Sequence, residues 1–232
     1  MQFTIQNSQF TIGLRVDSSF FTLHSSLFVL PSSLYNFILF LTSSYIMKKI
    51  ILASNSPRRK ALLAGLGFEF EVRVVPGIDE SYPEDLAVEE VPQYIAREKS
   101  EAYTVGDDEV LLTADTVVVL GSEVLGKPRD AADASRMLHA LSGRTHRVIT
   151  GVCLTTAGAQ RRFSVVTEVT FKQLTDDEID HYISTFRPYD KAGAYGIQEW
   201  IGYIGVTDIH GSYFNVMGLP VQRIYQELQQ LI

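Results

Sequence analysis

From residue 48 onward, apolar and polar positions fall into short blocks whose period switches between two and about 3.6. The apolar run Ile50-Ile51-Leu52 predicts a strand over 49–53. A helix over 57–66, closed by Gly67, follows. Residues 68–74 alternate as a strand, and 76–85 form an acidic loop. Val91, Ile95 and Ala102 make a helical stripe within 88–105. Residues 110–114 and 116–120 are β-rich, with Asp115 between them. Residues 131–141 read as a helix ended by Ser142-Gly143. Long strands over 145–154 and 163–171 are joined through a turn at Gly158. Thr175-Asp176-Asp177-Glu178 is a capping box opening a helix to about Thr185. A glycine-rich region spans 193–211, and 220–232 reads as a terminal helix. Helices alternating with strands predict an α/β domain over 47–232.

The first 46 residues do not share this pattern. Arg15 and Asp17 are their charges, and none lies from 18 to 46. Residues 27–46 have the length of a membrane or signal segment, but Pro31, Asn36 and several serines and threonines dilute it. No basic segment precedes it, while Lys48 and Lys49 follow. Met47-Lys48-Lys49 reads as the ordinary start of a cytoplasmic protein running into its first strand. Residues 1–46 are therefore expected to be an N-terminal extension outside the fold, produced by the choice of start site. A membrane anchor is the alternative.

The 232 residues are 46% hydrophobic, enough for a real core, and the formal net charge is −7. An acidic balance argues against a nucleic-acid partner. Cys153 is the single cysteine, so no internal disulfide exists. The five histidines are scattered without metal-ligand spacing.

Against that acidic background one cluster is basic. Ser56 is a natural N-cap and Pro57 suits the first helical position, which puts Arg58, Arg59 and Lys60 in the first turn. Cations there oppose the helix dipole, each by about 0.3–1 kcal/mol, unless an anion binds. Free N–H groups, serine hydroxyls and arginine forks together make a phosphate site. The bland alternative is a solvated basic turn. Asp115 is the second pointer. A carboxylate among β-branched residues either faces a cleft, metal or hydrogen-bond partner, or caps a bend between two strands. Gly121 to Lys127 has phosphate-loop spacing, but Pro128 stands where a hydroxyl should be, so that motif is rejected. Lys127 is kept as an isolated cation suited to one phosphate. Glu80 is by itself one acid of a solvated loop. Lys99 lies one turn from Ile95, either near the site or snorkelling. Lys191 to Gln198 is small and glycine-rich. It either admits a flat ligand whose base edge Gln198 reads, or is a tight turn entering a strand.

Taken together and in order, these segments resemble the Maf family of nucleoside triphosphate pyrophosphatases. The resemblance rests on Leu52 to Arg59, Asp79-Glu80, Arg97-Glu98-Lys99, Ala114 to Val118, Gly126-Lys127-Pro128, Leu141-Ser142-Gly143, Lys191 to Gln198, Gly211-Ser212-Tyr213 and Gly218-Leu219-Pro220. Residues 1–46 have no counterpart in it. The resemblance implies an elongated mixed sheet with flanking helices, forming two lobes around a deep cleft. It implies hydrolysis between the α and β phosphates and a divalent cation (magnesium or manganese), and is compatible with a homodimer; no membrane partner is expected. It implies Asp115 as proton acceptor, Glu80 and Asp115 as metal ligands, and Ser54, Arg59, Lys99 and Lys127 as substrate-binding residues. Arg58, Thr116 and Gln198 match the branch resembling dTTP/UTP pyrophosphatases. Glu199-Trp200 departs from the small residues expected after Gln198.

The cation set would neutralise a triphosphate of nearly four negative charges. Two other functions stay open at this level: a nucleotide-binding regulator of cell division without turnover, and a nucleotidyl- or phosphotransferase. Paired carboxylates favour catalysis, because a plain anion binder gains nothing from them unless a metal is held.

Overall fold

The computed structural model describes backbone at residues 2–6, 9–16 and 19–24, and backbone with side chains from 48 to 231. The chain divides into two compact units, Met1–Ile46 and Met47–Ile232. The first contains an antiparallel meander of β1 (Gln2–Gln6), β2 (Gln9–Val16) and β3 (Ser19–His24), in which Thr11 pairs with both Thr4 and His24. The sequence pattern assigned no strand there. The apolar stretch 27–46, read above as a possible anchor, lies outside the described residues. Among the described residues no helix is long and apolar enough to cross a membrane.

The second unit is built on a seven-stranded mixed sheet. Its strands are β4 (Lys49–Leu52), β5 (Phe70–Val72), β6 (Glu109–Leu120), β7 (Glu123–Leu125), β8 (Thr145–Thr155), β9 (Gln160–Phe171) and β10 (Val206–His210). Their order is β10-β9-β8-β6-β4-β5, with β7 added beside β6. β4 runs parallel to β5 and β6, and the remaining pairs are antiparallel. The helices are α1 (Pro57–Ala64), α2 (Val91–Glu101), α3 (Ala131–Leu141), α4 (Asp176–Phe186), α5 (Trp200–Gly205), α6 (Tyr213–Val216) and α7 (Val221–Leu228), with a 3-10 turn at Ala192–Ala194.

Several elements are shorter than their sequence patterns. The helix expected over 88–105 forms at Val91–Glu101, the strand over 68–74 at Phe70–Val72, and the terminal helix at Val221–Leu228. The glycine-rich region 193–211, which gave no clear period, contains α5 and the edge strand β10. The capping box at Thr175 forms with both reciprocal bonds.

One sheet serves two large cores and a smaller cluster under α2. The first half of β6 and the far half of β8 enter a cluster with Ile50, Leu52, Leu63 and Ile224, from β4, α1 and α7. The second half of β6 enters another with Leu138, Phe171, Tyr182 and Ile201, from α3, β9, α4 and α5. These are the two lobes, and β6 runs through both. Their boundary lies at residues 114–118.

That boundary is also an interruption in the sheet. β4 pairs with β6 as far as Leu52–Leu112, and the Ala53 amide donates one more bond to the Leu112 carbonyl (2.9 Å). β7 pairs with β6 only from Val118 onward. The edge of β6 between them pairs with neither strand, while β8 covers the opposite edge throughout.

Candidate active site

A cleft of about 720 Å³ opens at this gap. Successive side chains of a strand point to opposite faces. Yet five consecutive residues of β6, Ala114 to Val118, line the cleft. The open strand edge allows this, because the cleft wraps around it and is lined from both faces of the sheet.

The α2 face carries the carboxylates. Asp115 lies in the middle of β6, paired with Gly151, and does not interrupt the strand. This excludes the bend-cap alternative. Asp115 is 9% exposed, on the same face as Val117 and Val119. Those valines pack against Val91 and Ile95 of α2. The packing brings Lys99, in the last turn of α2, over Asp115. The cation sits at the favourable end of the helix dipole. Lys99 Nζ donates to Asp115 Oδ1 at 2.8 Å and lies 3.0 Å from Glu80 Oε1. Lys99 is therefore not a snorkelling lysine, and Glu80, still on an exposed loop, pairs with it. Burial works to raise the Glu80 carboxyl. Lys99, Lys127 and Arg59 outweigh it and hold the group below its ordinary value.

The opposite face carries the guanidinium. Ser56 caps α1 by accepting from the Arg59 amide (3.4 Å), and the Ser54 hydroxyl accepts from the Ser56 amide (3.2 Å). Arg59 then reaches across the gap. Its Nε donates to the Gly218 carbonyl (2.9 Å), Nη1 to the Ala114 carbonyl (2.9 Å) and Nη2 to Thr116 Oγ1 (3.1 Å). Thus the arginine satisfies a carbonyl on the strand edge that neither β4 nor β7 covers. Burial disfavours its charge and Asp115 favours it; the net pKa lies below the ordinary arginine value, where the group is still charged. Thr116 bonds Thr150 Oγ1 (2.9 Å), whose hydroxyl donates to the Asn215 carbonyl (3.1 Å).

The remaining expected residues are on the rim and floor. Arg58 pairs with Asp190 Oδ2 at 2.9 Å. Lys127 follows β7 and is exposed, with no carboxylate within ion-pair distance among the described residues. Its corner is fixed by the Gly193 amide bonding the Gly126 carbonyl (3.1 Å). Residues 191–198 form a 3-10 turn and a bend leading into α5, so the expected strand is replaced by a helix. Gln198 lines the cleft, and its Oε1 is buried with no hydrogen-bond partner among the described residues. The nine residues expected from the sequence, Ser54, Arg58, Arg59, Glu80, Lys99, Asp115, Thr116, Lys127 and Gln198, all line this one cleft.

Two residues of the site were given no role of their own from the sequence, although Lys191 opens the glycine-rich segment named above. Asp190 and Lys191 are adjacent in sequence and bonded to each other at 2.8 Å, and both line the cleft. Lys191 is 8% exposed, and a lysine buried that deeply needs a partner. The only sequence signal was an Asp-Lys pair next to a glycine-rich turn, which is also common on surfaces.

No cluster of three His, Cys, Asp or Glu suited to a metal ion occurs among the described residues. Glu80 and Asp115 do converge on one ammonium, so they are close enough to share a cation. A magnesium ion takes one or two carboxylates and completes its shell with phosphate oxygens and water. The oxygen donors present fit such a cation only together with a phosphorylated substrate.

Residues 49–231 match the family described as "Maf-like protein". The chain is 65% identical over 185 residues to a "dTTP/UTP pyrophosphatase" of Phocaeicola vulgatus, covering 79% of this chain and 96% of that protein. It is 58% identical over 183 residues to a protein of the same description from Parabacteroides distasonis, covering 78% and 95%. A solved structure described as the Ham1 protein of Staphylococcus aureus aligns over 80% of this chain and 100% of its own, at 13% identity and a TM-score of 0.46.

Proposed function

We propose, since the chain belongs to the Maf-like protein family, that it hydrolyses dTTP and UTP to the nucleoside monophosphate and pyrophosphate, a role in clearing the nucleotide pool. The observation that carries this reading is the placement of Asp115 against Lys99 at the open edge of β6, with Arg59 on the other side of the same edge. A carboxylate and a set of cations thus face one cleft from both sides of the sheet.

Each residue then has a task. The triphosphate tail lies at the start of α1, where Ser54, the Arg58 amide and the Arg59 guanidinium meet its oxygens. Arg59 has three of its five N–H groups bonded within the protein, which leaves two for phosphate. Lys127 meets the outer phosphates from the rim. Asp115 Oδ2 makes no hydrogen bond among the described residues, so it orients the attacking water and takes its proton. The water oxygen bonds to a phosphorus atom, the bridging oxygen leaves with the pyrophosphate, and Lys99 steadies the carboxylate and the leaving charge. Glu80 and Asp115 would hold a divalent cation, magnesium or manganese. Such a cation supplies charge neutralisation on the phosphates. Gln198, Thr116 and Arg58 line the end that receives the base. The family resemblance is what supports placing the activity in the cytoplasm and reading the working form as a homodimer.

The test is pyrophosphate release across the common nucleoside and deoxynucleoside triphosphates with magnesium or manganese. Release from dTTP and UTP above the others is expected. Saturable binding with no release would favour a nucleotide-binding regulator, and product joined to an acceptor other than water a transferase.

A further inference from the structure

A chain of polar contacts runs from Arg58 to the backbone that carries Gln198. Arg58 Nη1 meets Asp190 Oδ2 at 2.9 Å. Asp190 Oδ1 accepts from Lys191 Nζ at 2.8 Å, and that same ammonium lies 3.0 Å from Glu199 Oε1. The other Glu199 oxygen accepts from the Tyr182 hydroxyl, which in turn accepts the Gly196 amide (3.0 Å). Tyr182 belongs to α4 and is wholly buried in the larger core. Burial, then the Glu199 contact, pushes its hydroxyl far above the ordinary tyrosine range, so it remains a donor.

Gly196 is where these groups converge. A β-carbon there would lie 2.9 Å from Glu199 Cδ, 3.0 Å from Gln198 Nε2 and 3.0 Å from Lys191 Cε. Gln198 Nε2 therefore lies close against the Gly196 backbone, and Oε1 is buried without a hydrogen-bond partner among the described residues, in a residue that lines the cleft. That polarity matters for a pyrimidine. Uracil and thymine present an N–H donor between two carbonyls, whereas cytosine presents an acceptor nitrogen beside an amino group. An amide free to rotate by half a turn serves either base. An amide held one way serves one.

We propose that Lys191 and Glu199 are positioning residues for base recognition: their ion pair, anchored on Tyr182, holds the Gly196 backbone and with it the orientation of the Gln198 amide. Asp190 extends the same network to Arg58 on the opposite wall. The Lys191–Glu199 pair is the firm link, with side chains 9% and 21% exposed, while the Arg58–Asp190 pair reaches solvent, Asp190 being 60% exposed. The inference rests on the pyrimidine-nucleotide reading above and adds its mechanism of selection.

The experiment is calorimetric titration of UMP and CMP into the full chain, its Glu199→Gln variant and its Tyr182→Phe variant, with thermal melting and UTP turnover measured alongside. Tyr182→Phe keeps the buried ring and removes only the hydroxyl, so it guards against a folding failure in Glu199→Gln. The wild type should prefer UMP. Both variants should shrink that preference by about fivefold or more, with kcat at saturating UTP changed by no more than about twofold. An unchanged ratio in the variants overturns the inference. So does equal weakening of both nucleotides, or a wild type without preference. A wild type that prefers UMP but releases no pyrophosphate would refute the hydrolysis reading instead, leaving the ratio to decide this one.

Discussion

Lys99 Nζ donates to Asp115 Oδ1 at 2.8 Å, joining the last turn of α2 to the middle of β6. The pair is held by its surroundings: Val91 and Ile95 of α2 pack on Val117 and Val119 of β6, one strand period beyond Asp115. Helix and strand thus fix the direction of the carboxylate before any substrate arrives.

Asp115→Asn keeps the shape of this contact and removes the proposed base. Pyrophosphate release from UTP should fall by on the order of 10²-fold or more, with circular dichroism unchanged. Near-wild-type turnover would remove Asp115 from the role of proton acceptor.

Arg59 bonds three protein groups and is proposed to bind phosphate as well, so its loss should have two consequences. Arg59→Ala leaves the Ala114 and Gly218 carbonyls without their donor and should destabilise the fold by about 1–3 kcal/mol, read in denaturant unfolding. It should also raise KM for UTP. Arg59→Lys cannot reproduce three bonds from a planar fork and should recover little of either loss. A variant with wild-type stability would show that the edge carbonyls do not need the arginine.

His146 predicts an acid dependence. It is 2% exposed, its Nε2 bonds the Tyr195 hydroxyl (2.7 Å), and burial lowers its pKa to about 4. The unfolded chain takes up this proton near pH 6.5, before the folded one does. Its stabilising contribution is therefore whole above about pH 6.5 and is lost as the pH falls toward 4, a total of roughly 3 kcal/mol. His146→Gln should flatten the fall of Tm across that window. An equal slope in both proteins would assign the effect to carboxylates alone.

Met47–Ile232 forms a compact unit of its own and contains every described residue that lines the cleft. A chain beginning at Met47 should therefore keep kcat/KM for UTP within about twofold of the full chain, a difference too small to reflect loss of any transition-state contact. A tenfold loss would give residues 1–46 a part in the activity. N-terminal sequencing of the native protein would test whether translation begins at Met47.

Local elements were legible where one period and one cap agreed. α3 occupies the residues its pattern predicts, and the Thr175 capping box forms as written. Legibility failed at 193–211, where glycines blur the period and α5 and β10 are set by packing against Phe171 and Leu174. It also failed for Lys191, because burial of a lysine is a property of the surrounding fold.

The sequence by itself determined the inventory: a serine-capped helix start with two arginines, a carboxylate inside an apolar strand, and isolated lysines, in an order that resembles one family. Those facts depend on local propensity and residue chemistry. The tertiary structure decided how they act together. β4 and β7 leave a gap along the edge of β6, and through that gap Asp115 and Thr116, neighbours pointing to opposite faces, line one cleft. Pairing partners of a strand edge lie far apart in the chain, so no local pattern encodes where the pairing stops.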